Sequence, residues 1–198
     1  MGIIPALVNV LVTGNSKAKG SAAECLGNLS ESSNPLSKPQ SAKGGSCCFT
    51  PPPVVNCSVH NGACDVTTTF CLLEADAVGP LVASLDDSDG DTAAAALTAL
   101  STLLSDAGRW ENGVKVIHAA GGFSKIVQQL SDGTERAKEK GVWVLEKMFR
   151  IDEYKFEYGA KAQAALIQLT QHGSAECRPV AAKILSHLEI LHNQSSYF

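Results

Sequence analysis

Nowhere does this chain of 198 residues hold an apolar run approaching the roughly 18 residues that a membrane-spanning helix needs. Its N-terminus has no basic head, apolar stretch and small-residue cleavage site in succession, so no secretory signal is expected. Neither sign of charge runs long: 20 acidic and 16 basic residues leave a net charge of −4, without the concentrated Lys and Arg of a phosphate-reading surface. Nucleic acid is therefore not an expected partner. Catalytic arrangements are missing too. No Gly-x-Ser-x-Gly elbow presents a serine. Gly121-Gly122 lacks the Lys-Ser/Thr that completes a phosphate loop. His118, His172, His187 and His192 lie in or beside expected helices, where surface and helix-end positions are ordinary. The seven cysteines would imply a disulfide scaffold in a small secreted chain, and this chain is neither, so the reducing cytosol is expected.

What is present is repetition. Hydrophobic residues make up 44% of the chain, enough for a real core, and no stretch alternates as a half-buried strand does. Four segments share one plan of small-residue turn, apolar helix, polar break and a longer helix rich in Ala and Leu. The first opens Gly2-Ile3-Ile4-Pro5-Ala6-Leu7-Val8, the second Asp76-Ala77-Val78-Gly79-Pro80-Leu81-Val82. The third opens at Gly121-Gly122-Phe123 and the fourth at Gly159-Ala160. Taking Leu7, Leu81, Ile126 and Leu166 as equivalent, the separations are about 74, 45 and 40 residues, and the last two fall in the range of armadillo and related helical repeats. The first excess is a Pro-, Ser- and Gly-rich stretch at 31–66, read as a loop insert. Short helices are expected before the later turns, at 69–75, 114–119 and 153–158, and three helices per unit favour armadillo over two-helix repeats. Val180, Ile184, Leu188 and Leu191 fall at helical steps on one apolar stripe, which a single helix cannot bury without stacked neighbours. The expectation is an all-α, armadillo-like α-solenoid, a right-handed superhelix with repeats near 1–30, 67–105, 112–150 and 152–192.

Several stretches carry a family likeness. Gly-Ile-Ile-Pro-Ala-Leu-Val, Ala-Ala-Glu-Cys-Leu-Gly-Asn-Leu-Ser, Phe-Cys-Leu-Leu-Glu-Ala-Asp-Ala-Val and the closing Leu-His-Asn-Gln-Ser-Ser-Tyr-Phe resemble the armadillo region of plant U-box E3 ubiquitin ligases, closest to the senescence-associated type. The likeness covers nearly all of the chain, insert included. In that family a separate U-box of about seventy residues recruits the ubiquitin-charged E2 while the repeats choose substrate, partner or membrane. No stretch here resembles a U-box, and the chain opens almost directly at a repeat turn. It therefore reads as a truncated product, an excised fragment or a degenerate copy. The resemblance implies a module that binds a protein partner or ubiquitination substrate, not an enzyme. The alternative is a fragment of a functional ligase whose U-box lies outside this chain. A cytoplasmic monomer is expected. Peripheral attachment to the plasma membrane is a third role open to the family, although no basic amphipathic stretch or acylation motif supports it.

Family logic also locates a partner-facing surface. Armadillo proteins that bind extended peptides carry a Trp-x-x-x-Asn pair on the longest helix of each unit, where the amide offers the peptide both a donor and an acceptor. Carried over through the Leu-Gly-Asn-Leu stretch, the amide row becomes Asn28, Thr102, Lys147 and His187, and the tryptophan row Glu24, Thr98, Trp143 and Lys183. Only Asn28 and Trp143 keep the family residue, in different repeats. A regular ladder for unstructured peptide is thus not expected, and recognition of a folded surface is. Trp143 can equally lie half in the helix-packing core. Trp110, after Gly108-Arg109, is read as a cover over helix ends.

The insert holds the remaining signal. Five of the seven cysteines fall between Cys47 and Cys71. Cys48, Cys57, His60 and Cys64 make four ligands of the kind a structural zinc site takes. The competing reading is a loop of free thiols, since single Cys-x-x-His matches are common. Cys71 lies in an apolar run and is read as core.

Overall fold

The computed structural model describes residues 3–33, 54–55, 64–65, 71–105 and 110–195. Among these residues the long helices start at one repeated position. Asn15, Asp89, Thr134 and Ser174 stand about 74, 45 and 40 residues apart, as the apolar anchors do. All four are residue types that favour a helix start, because a side-chain oxygen there takes an N–H that the helix itself leaves unpaired. Asn15 Oδ1 accepts from Ala18 N–H at 2.9 Å, Thr134 Oγ1 from Ala137 and Ser174 Oγ from Cys177, both at 3.3 Å. The Asp89 carboxylate takes the Thr92 hydroxyl at 2.7 Å instead.

The first unit comprises α1 (Ile3–Thr13) and α2 (Ser16–Ser33). The second has α3 (Val78–Ala83), a 3₁₀ turn at Ser84–Asp86 and α4 (Gly90–Ser101). The third has α5 (Trp110–Ala119), α6 (Gly122–Asp132) and α7 (Glu135–Met148), and the fourth α8 (Asp152–His172) and α9 (Cys177–Ser195). Helices α2, α4, α7 and α9 pack side by side in chain order as one layer, and α1, α3, α6 and α8 back them one by one. The core repeats with the units. Leu26, Leu100 and Leu145 are equivalent and wholly buried, each worth about 2 kcal/mol of burial. Ala22, Ala96, Gly141 and Ala181 are buried at a second equivalent position, where small side chains let the helices approach. This is the all-helical armadillo solenoid that the periodicity implies.

The turns match as well. Asp76 and Gly121 occupy equivalent places ahead of α3 and α6, and both adopt left-handed backbone, φ 53° and 76°. Glycine takes that conformation freely, and Asp is among the few other residues that tolerate it.

Three features differ from the sequence reading. The fourth unit has no break at Gly159: the short helix expected at 153–158 and the one after it form the single 21-residue α8. The position equivalent to Gly121 is Lys161, which has no reason to leave the helical region. Gly159 instead allows close packing, since a Cβ there would stand 2.8 Å from Leu188 Cδ2. The stretch 71–77 is a chain of turns rather than a short helix. The insert contributes a two-residue antiparallel ladder, Val54 opposite Asp65 and Val55 opposite Cys64, where no strand was expected.

Candidate partner-binding surface

The open side of the inner layer follows directly from the helix starts. Two residues beyond each capping position begins a five-residue stripe at steps of four, three, four and three, which runs straight along a helix. On α2 the stripe reads Lys17, Ser21, Glu24, Asn28 and Glu31, all exposed. Along and just beyond α4 it reads Asp91, Ala95, Thr98, Thr102 and Ser105, with Ala95 and Thr102 buried. Along and just beyond α7 it reads Arg136, Lys140, Trp143, Lys147 and Arg150, exposed except for the half-buried Lys147. On α9 Lys183 and His187 are exposed.

The four helices do not present this stripe at one height. Ala93, Ala94, Ala95 and Ala96 on α4 are at most 1% exposed. A Cβ on Gly27 would lie 3.2 Å from Ala99 Cα, so α2 and α4 approach nearly backbone to backbone. Small side chains on a central helix leave a trough of about 230 Å³ over α4. Glu24, Asn28 and Glu31 line one bank, Thr98 and Thr102 the floor, and Arg136 the other bank.

Each sequence-derived site residue can now be placed. Asn28, Trp143 and His187 are exposed on the inner layer, and Lys147 sits half-buried with its ammonium 5.3 Å from the centre of the Trp143 ring. Trp143 is 37% exposed, so part of its ring is open on this face while the rest is covered by packing. Thr102 requires a correction as a partner contact. It is 9% exposed, its hydroxyl donates to Ala99 O at 2.7 Å, and it lies 2.7 Å from the Ser30 hydroxyl. Its hydrogen-bonding capacity is directed between α2 and α4. Cys48, Cys57 and His60 lie outside the described residues, and Cys64 enters only through its backbone pairing with Val55. Cys71 is buried, as expected of a core thiol.

Charges tie the face together between units. Lys183 Nζ on α9 and the Arg150 guanidinium each reach Glu146 Oε1 at 2.9 Å, and Arg150 also meets Oε2 at 3.1 Å. Burial disfavours the Glu146 carboxylate, but hydrogen bonds from Lys183 and Arg150, aided by their charges, outweigh it and hold its pKa below the ordinary Glu value. The same guanidinium lies 5.9 Å from the Trp110 ring centre, so Trp110, the first residue of α5, backs the end of this bridge. Arg136 reaches over α4 to Glu24 at 3.6 Å, with both side chains 53% exposed, a contact of small energetic weight. Behind the layer, His118 is half-buried in an aromatic cluster, 3.1 Å from the Tyr158 hydroxyl and packed on Phe123 and Tyr154.

The sequence reading missed Arg136, Lys140 and Arg150. Their signal is nonetheless visible: four cations and one tryptophan at 4-3-4-3 spacing with no acid on the same stripe.

Two layers of helices with a repeated capped start and an open inner face define an armadillo-repeat protein. Solved structures agree. A computationally designed armadillo repeat protein for modular peptide recognition superposes with TM-score 0.66 at 21% identity, over 93% of this chain and 64% of that one. A designed armadillo repeat protein in complex with the peptide (KR)4 gives TM-score 0.62 at 20% identity, over 91% of this chain and 62% of that one. Among curated proteins, U-box domain-containing protein 44 of Arabidopsis thaliana is 38% identical over 156 residues, 76% of this chain. U-box domain-containing protein 43 of the same plant is 35% identical over 208 residues, 98% of this chain. U-box domain-containing protein 24 of Oryza sativa subsp. japonica is 37% identical over 148 residues, 72% of this chain. Plant U-box domain-containing proteins are thus homologues of this chain, which matches their armadillo region. It spans 20%, 26% and 18% of the lengths of these three relatives. No family model matches the chain.

Proposed function

We propose that this chain is a protein-holding module of the ubiquitination pathway, binding a partner or substrate on the inner face formed by α2, α4, α7 and α9. The observation that carries the reading is this face itself. It keeps one register over four helices, yet its row is made of the exposed Glu24, Asn28, Trp143, Lys183 and His187 with the half-buried Lys147, none of which is a core residue. Trp is one of the residue types enriched among interface anchors. Designed armadillo repeat proteins of this fold, one made for modular peptide recognition and one in complex with the peptide (KR)4, support a protein-binding use.

The module carries no ubiquitin-transfer chemistry of its own on this reading. Purified chain incubated with ubiquitin, E1 and a panel of E2 enzymes is expected to form no ubiquitin conjugates. E2-dependent autoubiquitination would overturn it and favour the second reading, a ligase fragment that is itself active. The expected setting is the cytoplasm, with the chain acting as a monomer.

Among the described residues no helix is long and apolar enough to cross a membrane.

A further inference from the structure

We infer that the stripe along α7, with the adjoining Lys183 of α9, is a docking site for a carboxylate-rich segment of a protein partner. The inference rests on the protein-holding reading above and names the chemistry of what is held. Five equivalent positions carry Lys17, Ser21, Glu24, Asn28 and Glu31 in the first unit, and Asp91, Ala95, Thr98, Thr102 and Ser105 in the second. In the third they carry Arg136, Lys140, Trp143, Lys147 and Arg150. A chain whose net charge is −4 thus gathers four cations on one stripe along and just beyond one helix.

The core packing of α7 does not ask for them, although Arg150 is engaged in the Glu146 bridge. The packing side of α7 is Ala137, Gly141, Val142, Val144, Leu145 and Met148. A stripe that served only solvation would interleave acids with bases, since like charges at these steps repel. The acids nearby do not cancel it. Glu146 is already shared by Arg150 and Lys183, two cations for one carboxylate. Glu24 meets Arg136 only loosely, at 3.6 Å. Among the described residues, Lys140 and Lys147 have no carboxylate within ion-pairing distance. Trp143 at the centre offers an apolar face with Lys147 already laid against it.

Charge complementarity therefore selects an acidic occupant, with an aromatic or aliphatic side chain for Trp143. The stripe is about 21 Å long at the helical rise per residue, the reach of roughly six to eight extended residues. This polarity is opposite to that of the basic peptide held by the designed relative.

The test uses the whole chain and a fluorescein-labelled peptide of about eight residues, Asp and Glu with one central Phe, in anisotropy titrations at low and high salt. The comparison probes are its Asn/Gln counterpart, the (Lys-Arg)4 peptide, phosphatidylserine vesicles and a single-stranded oligonucleotide. The acidic peptide is expected to bind with a change in Trp emission, to weaken as salt rises, and to lose at least about tenfold in affinity in K140E/K147E. The melting curve of that variant should match the parent, so that lost binding is not lost folding. Equal binding of the Asn/Gln peptide, tighter binding of (Lys-Arg)4, or undiminished binding by K140E/K147E overturns the inference and leaves the protein-holding reading standing. Vesicles or oligonucleotide taken up in a Lys140- and Lys147-dependent way, with every peptide ignored, overturns both.

Discussion

Helices α4 and α7 occupy the same slot in successive units, yet they divide the demands of that slot differently. Both begin after a capping residue, Asp89 or Thr134, and both drive an equivalent leucine, Leu100 or Leu145, into the core. Helix α4 lies between α2 and α7 and is crowded on nearly every side, so it is built of Ala, Thr and Leu, and its stripe sinks to the floor of a trough. Helix α7 leaves most of its stripe exposed and carries charge and an indole there. One structural position can therefore serve closure in one repeat and display in the next, and the difference lies in side-chain size on the open side.

The largest expected effect tests whether the slot is really shared. Leu100→Ala and Leu145→Ala should each cost about 3 kcal/mol in urea denaturation, because each empties a wholly buried position. A cost near zero for one of them would break the equivalence of the two units.

A middle-sized effect sharpens the contrast on the stripe. Thr102→Val keeps the shape of the side chain but removes the hydroxyl that faces buried Ser30, and should destabilise by about 1 kcal/mol. Lys147→Ala, at the equivalent place on α7, should stay within about 0.5 kcal/mol. Equal costs would mean that α7 is as closed as α4.

The smallest effect concerns pH. The Glu146 carboxylate has a pKa below its ordinary value of 4.5, so the folded state binds its proton less readily than the unfolded chain does. Its contribution is complete above the unfolded value and is lost as pH falls through the depressed folded one. Glu146→Gln should lower stability at neutral pH by about 0.5–1 kcal/mol, the modest figure suited to a partly screened pair. Thermal melts of parent and variant should converge as pH falls well below the ordinary Glu value of 4.5, and a difference that persists in acid would contradict the ion-bridge account.

Much of this was legible in the residues alone. Apolar steps of three and four place the helices, and the repeated distances between Leu7, Leu81, Ile126 and Leu166 identify the solenoid. The polar residues at 15, 89, 134 and 174 could have tightened every helix start, since each is of a capping type. Gly159 was misleading for a physical reason. A glycine ends a helix or admits a neighbour, and only the side chain opposite, here Leu188, distinguishes the two. Thr102 was misleading in a similar way. Its place on the stripe follows from spacing, but its burial depends on how closely α2 approaches across Gly27.

By itself, then, the sequence determined the helices, their units and the row of residues that looks inward, because these depend on local period and capping. Only the tertiary structure decided which members of that row are open. Exposure is a property of the neighbours: small residues at Gly27 and Ala99 draw α2 onto α4 and bury Thr102, while Arg136, Lys140, Arg150 and part of Trp143 stay exposed.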